Sequence, residues 1–304
     1  MRIRPAVAVA ILALAVDCPA AFGQSAPGLT MGPQAAAGFV YQGKPLHPFC
    51  VEFPADEDNA ENRLADCTHT QAAPRTDARG FLAAEDENQA HAMIRRPFSS
   101  YRVLGRKGDR FLIATETSGG GTGIFDSLLW VRLDESAVRM AGSIAGGDRC
   151  SGGLDGFTIL GGVVEFSEHL TPEDVLALAA VRVEQDSVEY SAMSCFARAH
   201  YIYDAAAETL ALKSVTLRYE LGTPDRDGRA EDREGWTGLF PAQSCFNKVF
   251  NEHIEQERAT LDRTLLQQFG KEFISRCGSL TTAPHKESSG RLPGPSAFHG
   301  SSAR

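Results

Sequence analysis

From Tyr101 onward, apolar residues alternate with polar ones more often than they recur at helical spacing, and turn residues interrupt them at short intervals. Successive side chains on a strand point to opposite faces, so this pattern predicts β-strands. Arg110–Ser118 sets Phe111 and Ile113 on one face. Ile124–Leu133 is a nearly continuous apolar run holding Trp130, and Ala137–Ile144 alternates Val138 and Met140 with Arg139 and Ser143. Lys107-Gly108-Asp109 and Asp134-Glu135-Ser136 supply the turns. Phe157–Leu160, Gly161-Gly162 and Val163–Phe166 read as a hairpin, because two glycines suit the positive φ of a type I′ turn. Val188–Tyr203 and Leu210–Tyr219 return to strand character around a loop at Asp204–Glu208.

Two stretches break this period. At Thr171-Pro172-Glu173-Asp174 a hydroxyl can cap backbone donors, proline sits where its missing N–H does no harm, and two carboxylates meet the positive dipole end; a helix to about Ala180 is predicted. From Phe246, apolar residues fall at 249, 250, 254, 261, 265, 266, 269, 273 and 274, mostly at helical steps, and Gly278 is placed to end the run. A straight helix would hold Cys245 and Cys277 roughly 48 Å apart. Those cysteines can pair only if the helix folds back, with Glu255–Arg258 or Gly270 as the break. The predicted fold is therefore α+β and β-rich. It is an antiparallel up-and-down meander, arranged as a sandwich or open barrel-like sheet, with a short helix near 171–180 and a long C-terminal helix or helical hairpin.

Composition divides the chain. Residues 1–23 combine Arg2 and Arg4, an apolar run from Ala6 to Val16 and small residues at Ala21 and Gly23, the layout of a cleavable signal peptide. Residues 24–45, rich in Gly, Ala, Pro and Gln, are expected to be a flexible leader; residues 46–280 form a single disulfide-braced domain, and the Ser/Gly/Pro-rich 281–304 a disordered tail. Cleavage removes two arginines and one aspartate, taking the formal charge from −9 to −10. An acidic chain without a basic block repels phosphate, which excludes nucleic acid as a partner. No second apolar run approaches a membrane span, so no integral membrane segment is expected after cleavage.

Six cysteines remain once Cys18 is removed, and an even count in an exported chain points to disulfides: Cys50–Cys67, Cys150–Cys195 and Cys245–Cys277. No close Cys-x-x-Cys pair exists for a metal. Thr223–Glu234 matches several positions of a calcium loop through Asp225, Asp227 and Glu234, but Thr223 stands where the first acidic ligand belongs and three arginines are interspersed. His253 and Glu257 read as an exposed polar helix face. No cofactor is implied.

Two glycine clusters remain, Gly119–Gly123 and Gly146–Gly156. The first lacks the Lys-Ser/Thr of a phosphate loop and precedes a strand rather than a helix, so it reads as a hairpin loop. In a meander both clusters fall at one end of the sheet, where Thr122, Asp148, Arg149, Asp155 and His169 share a rim that a disulfide at Cys150 would hold still. The expectation is a secreted or periplasmic, non-enzymatic module that binds a protein, peptide or glycan there. Alternatives are a hydrolase using Ser151, His169 and Asp148 or Asp155 at the same rim, and a purely structural envelope protein.

Overall fold

A computed structural model of the chain describes residues 28–53, 60–67, 73–86, 96–184, 187–188, 190, 195–218, 240–256 and 258–278. In chain order they form β1 (Leu29–Met31), β2 (Val40–Tyr41), β3 (Lys44–Pro45), β4 (Glu61–Arg63), α1 (Leu64–Cys67), β5 (Arg75–Thr76) and β6 (Leu82–Glu85). The long strands follow: β7 (Phe98–Lys107), β8 (Arg110–Ser118), β9 (Phe125–Leu133), β10 (Ala137–Asp148), β11 (Leu154–Leu160) and β12 (Val163–Leu170). Next come α2 (Pro172–Leu178), β13 (Ala197–Asp204), β14 (Thr209–Leu217), α3 (Gln243–Glu255), β15 (Thr260–Leu261) and α4 (Arg263–Cys277).

The fold is the expected β-rich α+β class, built as two antiparallel meanders. The first sheet runs β4-β10-β9-β8-β7-β6-β5, with β1 also on β7; the second runs β11-β12-β13-β14-β15. The nearly continuous apolar character of β8 and β9 follows from burial on both faces. One face of the first sheet, through Tyr101, Val103, Phe111, Ile113 and Val131, packs on Phe39, Leu46, Val51 and Leu64 of the N-terminal segment. The opposite face, through Leu104, Leu112, Leu128 and Trp130, packs in one core with Val164, Phe166 and Tyr203 of the second sheet and with the helices. Strands of the second sheet alternate cleanly, since only their inner face is covered by this core.

Polar contacts fix how the sheets sit. Trp130 Nε1 donates to the Tyr203 hydroxyl at 2.7 Å, and Arg102 donates to the Phe157 carbonyl at 2.9 Å. Glu208, in the β13–β14 turn, accepts from both Lys107 and Arg110 of the first sheet. Those hydrogen bonds, from Arg110 first and Lys107 second, hold its carboxyl down at about 2. Thr171 caps α2 with a reciprocal bond to Asp174, as the sequence implies.

The terminal helix is indeed folded back. It divides after Glu255 into α3 and α4, Asp262 caps α4, and Cys245 is bonded to Cys277 across the pair. Gly270 is no break, however: it lies inside α4, where a Cβ would come 2.7 Å from the Ala179 carbonyl oxygen, so glycine lets α4 approach the end of α2.

Several boundaries differ from the pattern. The expected flexible leader is part of the fold from Leu29 on, because β1 pairs with β7 and Phe39 enters the core. The hydrophobic residues of that segment follow no sustained period, and their burial comes from the sheet the segment covers. β10 runs to Asp148 instead of stopping at Ile144; Gly146 and Gly147 belong to the ladder, opposite Ser127 and Asp126. β13 starts at Ala197, and Val188 is buried in a bend rather than extended in a strand. His253 is fully buried, not on an exposed face; its Nε2 meets Glu272 of α4 at 2.8 Å, a partner only the folding back supplies. Cys50 is buried, whereas the Cys67 side chain, and with it the expected Cys50–Cys67 bond, the segment containing Asp225, Asp227 and Glu234, residues 1–23 and residues 281–304 lie outside the described residues.

Replacing Tyr203 by Phe leaves the Trp130 donor buried without its partner. Unfolding free energy should fall by about 1–3 kcal/mol with far-UV circular dichroism unchanged. Urea denaturation measures it, and an unchanged midpoint would remove this bond from the forces that join the sheets.

Candidate functional site

The chain passes from the first sheet to the second through the second glycine cluster. At the end of β10 a Cβ on Gly147 would sit 2.0 Å from the Ser151 carbonyl oxygen, and one on Gly153 would sit 2.1 Å from that of Arg149. Only glycine permits these approaches. They allow a tight reversal in which Asp148 and Ser151 exchange backbone hydrogen bonds of 2.9 and 2.8 Å, with Arg149 at φ 44°. Beyond it, Gly152 donates to the His169 carbonyl at 3.0 Å and His169 donates back to Gly153 at 2.8 Å. Cys150, wholly buried, is bonded to Cys195, so the reversal is also tied covalently to the segment that enters β13.

The first cluster meets this reversal. Residues 119–123 connect β8 to β9 as a hairpin loop, closed by Ser118 Oγ donating to the Gly123 carbonyl at 2.8 Å. The Ile124 N–H donates to Asp148 Oδ1 at 3.0 Å, and the Arg149 N–H donates to the Ile124 carbonyl at 3.1 Å. Both clusters therefore stand at one end of the molecule, although a crossover between two sheets, and not one continuous meander, brings them there. Thr122 is exposed on this rim. Beside it stands Phe125, an aromatic 43% exposed that sequence reading passed over as one more residue of an apolar run.

The charged rim residues sort into two groups. Arg149 Nε lies 3.0 Å from Asp148 Oδ1. Asp155 lies 3.3 Å from His169 Nε2 and 3.2 Å from Arg198, and the His169 hydrogen bond together with the Arg198 charge holds its carboxyl below the usual range. Of the alternative grouping, His169 meets Asp155, one of the two carboxylates offered to orient it, whereas Asp148 is engaged by Arg149 and Ile124. Among the described residues no group of three or more His, Cys, Asp or Glu side chains is placed to hold a metal ion.

Asp155 and His169 also open onto a second feature, the outer face of the second sheet. Here Ser167 Oγ and His200 Nδ1 are 3.0 Å apart, and His200 Nε2 and Thr216 Oγ1 are 3.0 Å apart. A groove of about 220 Å³ lies along this row, lined by Thr158, Glu165, Ser167, His200, Lys213 and Ser214. Alternation could have placed Ser167 and His169 on one face of β12, but their partners depend on pairing with β13 and β14, which spacing alone does not reveal.

Beneath the rim two carboxyls are withdrawn from water. Asp126, opposite Gly147, accepts from the Leu154 N–H at 3.2 Å; burial, then the Glu116 charge, pushes its pKa up to about 8, against the weaker pull of Arg79. Glu168 faces inward to the Tyr201 hydroxyl, and burial with the neighbouring Asp174 raises it to about 7. Comparison with protein families, with curated proteins and with solved structures finds no match to this chain.

A carboxyl whose pKa is higher folded than unfolded favours the native state while both forms are protonated, and that advantage is lost as pH rises through the folded value. Stability should therefore decline between about pH 4 and pH 8, with Asp126→Asn and Glu168→Gln flattening the slope. Melting temperature against pH tests this; a wild-type slope retained in the double variant would contradict it.

Proposed function

We propose that this chain is an exported binding module that engages a protein, peptide or glycan of the periplasm or extracellular space through the rim formed by Thr122, Phe125, Asp148, Arg149, Asp155 and His169. The observation that carries this reading is the fixation of the rim. Two glycine clusters, a disulfide and reciprocal backbone bonds hold loops that would otherwise have to be ordered on contact. Loops ordered in advance lower the entropic cost of association. An exposed aromatic beside a small-residue loop supplies the apolar contact, and the flanking charges supply direction. Export is supported by the signal-like first 23 residues and by two disulfides, bonds that persist in oxidising compartments. No described helix is long and apolar enough to cross a membrane.

Phe125→Ala and Arg149→Ala should each weaken retention of a partner from the native envelope fraction by ~1–3 kcal/mol, with little change in melting temperature. If Arg149→Ala instead lowers stability while the folded fraction retains the partner as before, Arg149 is only a brace for Asp148.

A further inference from the structure

We propose that Ser167 is a nucleophilic hydroxyl, activated by His200, that accepts the acyl group of a small ester entering the groove on the outer face of the second sheet. This goes beyond the rim reading and does not depend on it. β12 and β13 place Ser167 directly opposite His200, and β13 and β14 place Arg198 opposite Thr216. A bulge in β14 beside His200 accompanies the contact of its Nε2 with Thr216. Both ring nitrogens are thereby engaged, which fixes the imidazole plane. In the tautomer protonated on Nε2, that N–H donates to Thr216 Oγ1, and Nδ1 is left to accept the Ser167 proton. Desolvation, followed by the charges of Arg218 and Arg198, disfavours the imidazolium, so the ring is a neutral base at pH 7.

Access to the hydroxyl comes from the neighbouring strand. β11 bulges between Asp155 and Thr158, and within the bulge is Gly156, at φ 69°. A Cβ there would meet nothing closer than Ser167 Oγ at 3.9 Å, so glycine leaves the space before the hydroxyl open to the groove. A groove of about 220 Å³ takes a short acyl chain; drug-sized ligands fill roughly 300–1,000 Å³. Lys213, on the groove wall and 3.5 Å from Glu165, is a cation within the groove that can meet negative charge on the carbonyl oxygen.

The chemistry balances without a cofactor. Ser167 Oγ bonds to the ester carbonyl carbon as its proton passes to His200 Nδ1; the bond to the leaving oxygen breaks, and the same proton leaves on the alcohol. Water then adds to the acyl carbon, giving a proton to His200 that returns to Ser167 Oγ as the carboxylic acid departs. Thr216 is a positioning residue that fixes the tautomer.

Incubation of the purified chain with p-nitrophenyl acetate tests the assignment. The expected result is p-nitrophenol release with a transient acetyl adduct on the peptide containing Ser167. Ser167→Ala and His200→Gln should lower the rate at least ~100-fold. Thr216→Val should shift the pH at which the rate rises, which a merely structural role would not do. These substitutions lie on the outer face of the sheet, and melting temperature verifies that each variant folds; adduct mapping on the unmodified sequence needs no variant. An acetyl group found only elsewhere, or release unchanged in Ser167→Ala, overturns the proposal. Partner retention at the rim should be unchanged in Ser167→Ala, so the two readings fail separately.

Discussion

The close approach of backbone to backbone between Gly146 and Gly153 is the constraint on which the rest of the structure depends. It lets the chain leave the end of one sheet and enter the other within five residues, from Asp148 to Leu154. Where a Cβ would lie 2.0–2.1 Å from a carbonyl oxygen, a side chain cannot be accommodated by rotamer change, because the obstruction is main chain. The reversal in turn sets where β11 begins, which places Leu154 over Asp126 and Glu168, and brings Asp155 to His169.

Burial then explains the two sheets' different sequences. The first is covered on both faces and tolerates polar side chains chiefly at its ends and edges. The second is covered by the main core on one face only, so its outer positions are free to carry hydroxyls, imidazoles and charges in register. The polar row around His200 exists because that face is not needed for the core, and rigidity comes from the other face, where Tyr201 and Tyr203 are held against Glu168 and Trp130. The same tight core forces Asp126 and Glu168 toward their protonated forms, so the rim rests on groups that respond to pH.

Much of this was legible in the sequence where the cause is local. The hairpin at 161–162, the Thr171 cap and the division of the terminal helix near Glu255 follow from the glycine pair, capping and the interrupted apolar stripe, although only Gly161 takes a positive φ, 64°, so the turn is not the expected type I′. Cys245 and Cys277 told of the fold-back because a helix has a fixed rise. What was not legible depends on partners distant in the chain. Leu29–Met31 look like a leader until β7 is present to pair with them. His253 looks exposed until Glu272 returns beside it. Ser167 and His200 are ordinary strand residues until register makes them neighbours. The rim was found for a partly different reason from the true one: both glycine clusters do lie together, but a change of sheet joins them.

Gly147→Ala probes the crossover most directly, read by hydrogen exchange at the Gly152 and His169 amides together with the urea midpoint. Both amides donate across the reversal, to His169 and Gly153 respectively. If the glycine approach sets the geometry, protection at both amides should be lost and the midpoint should fall, since a methyl group would overlap the Ser151 carbonyl. Unchanged protection and an unchanged midpoint would contradict the dependence of the fold on that contact.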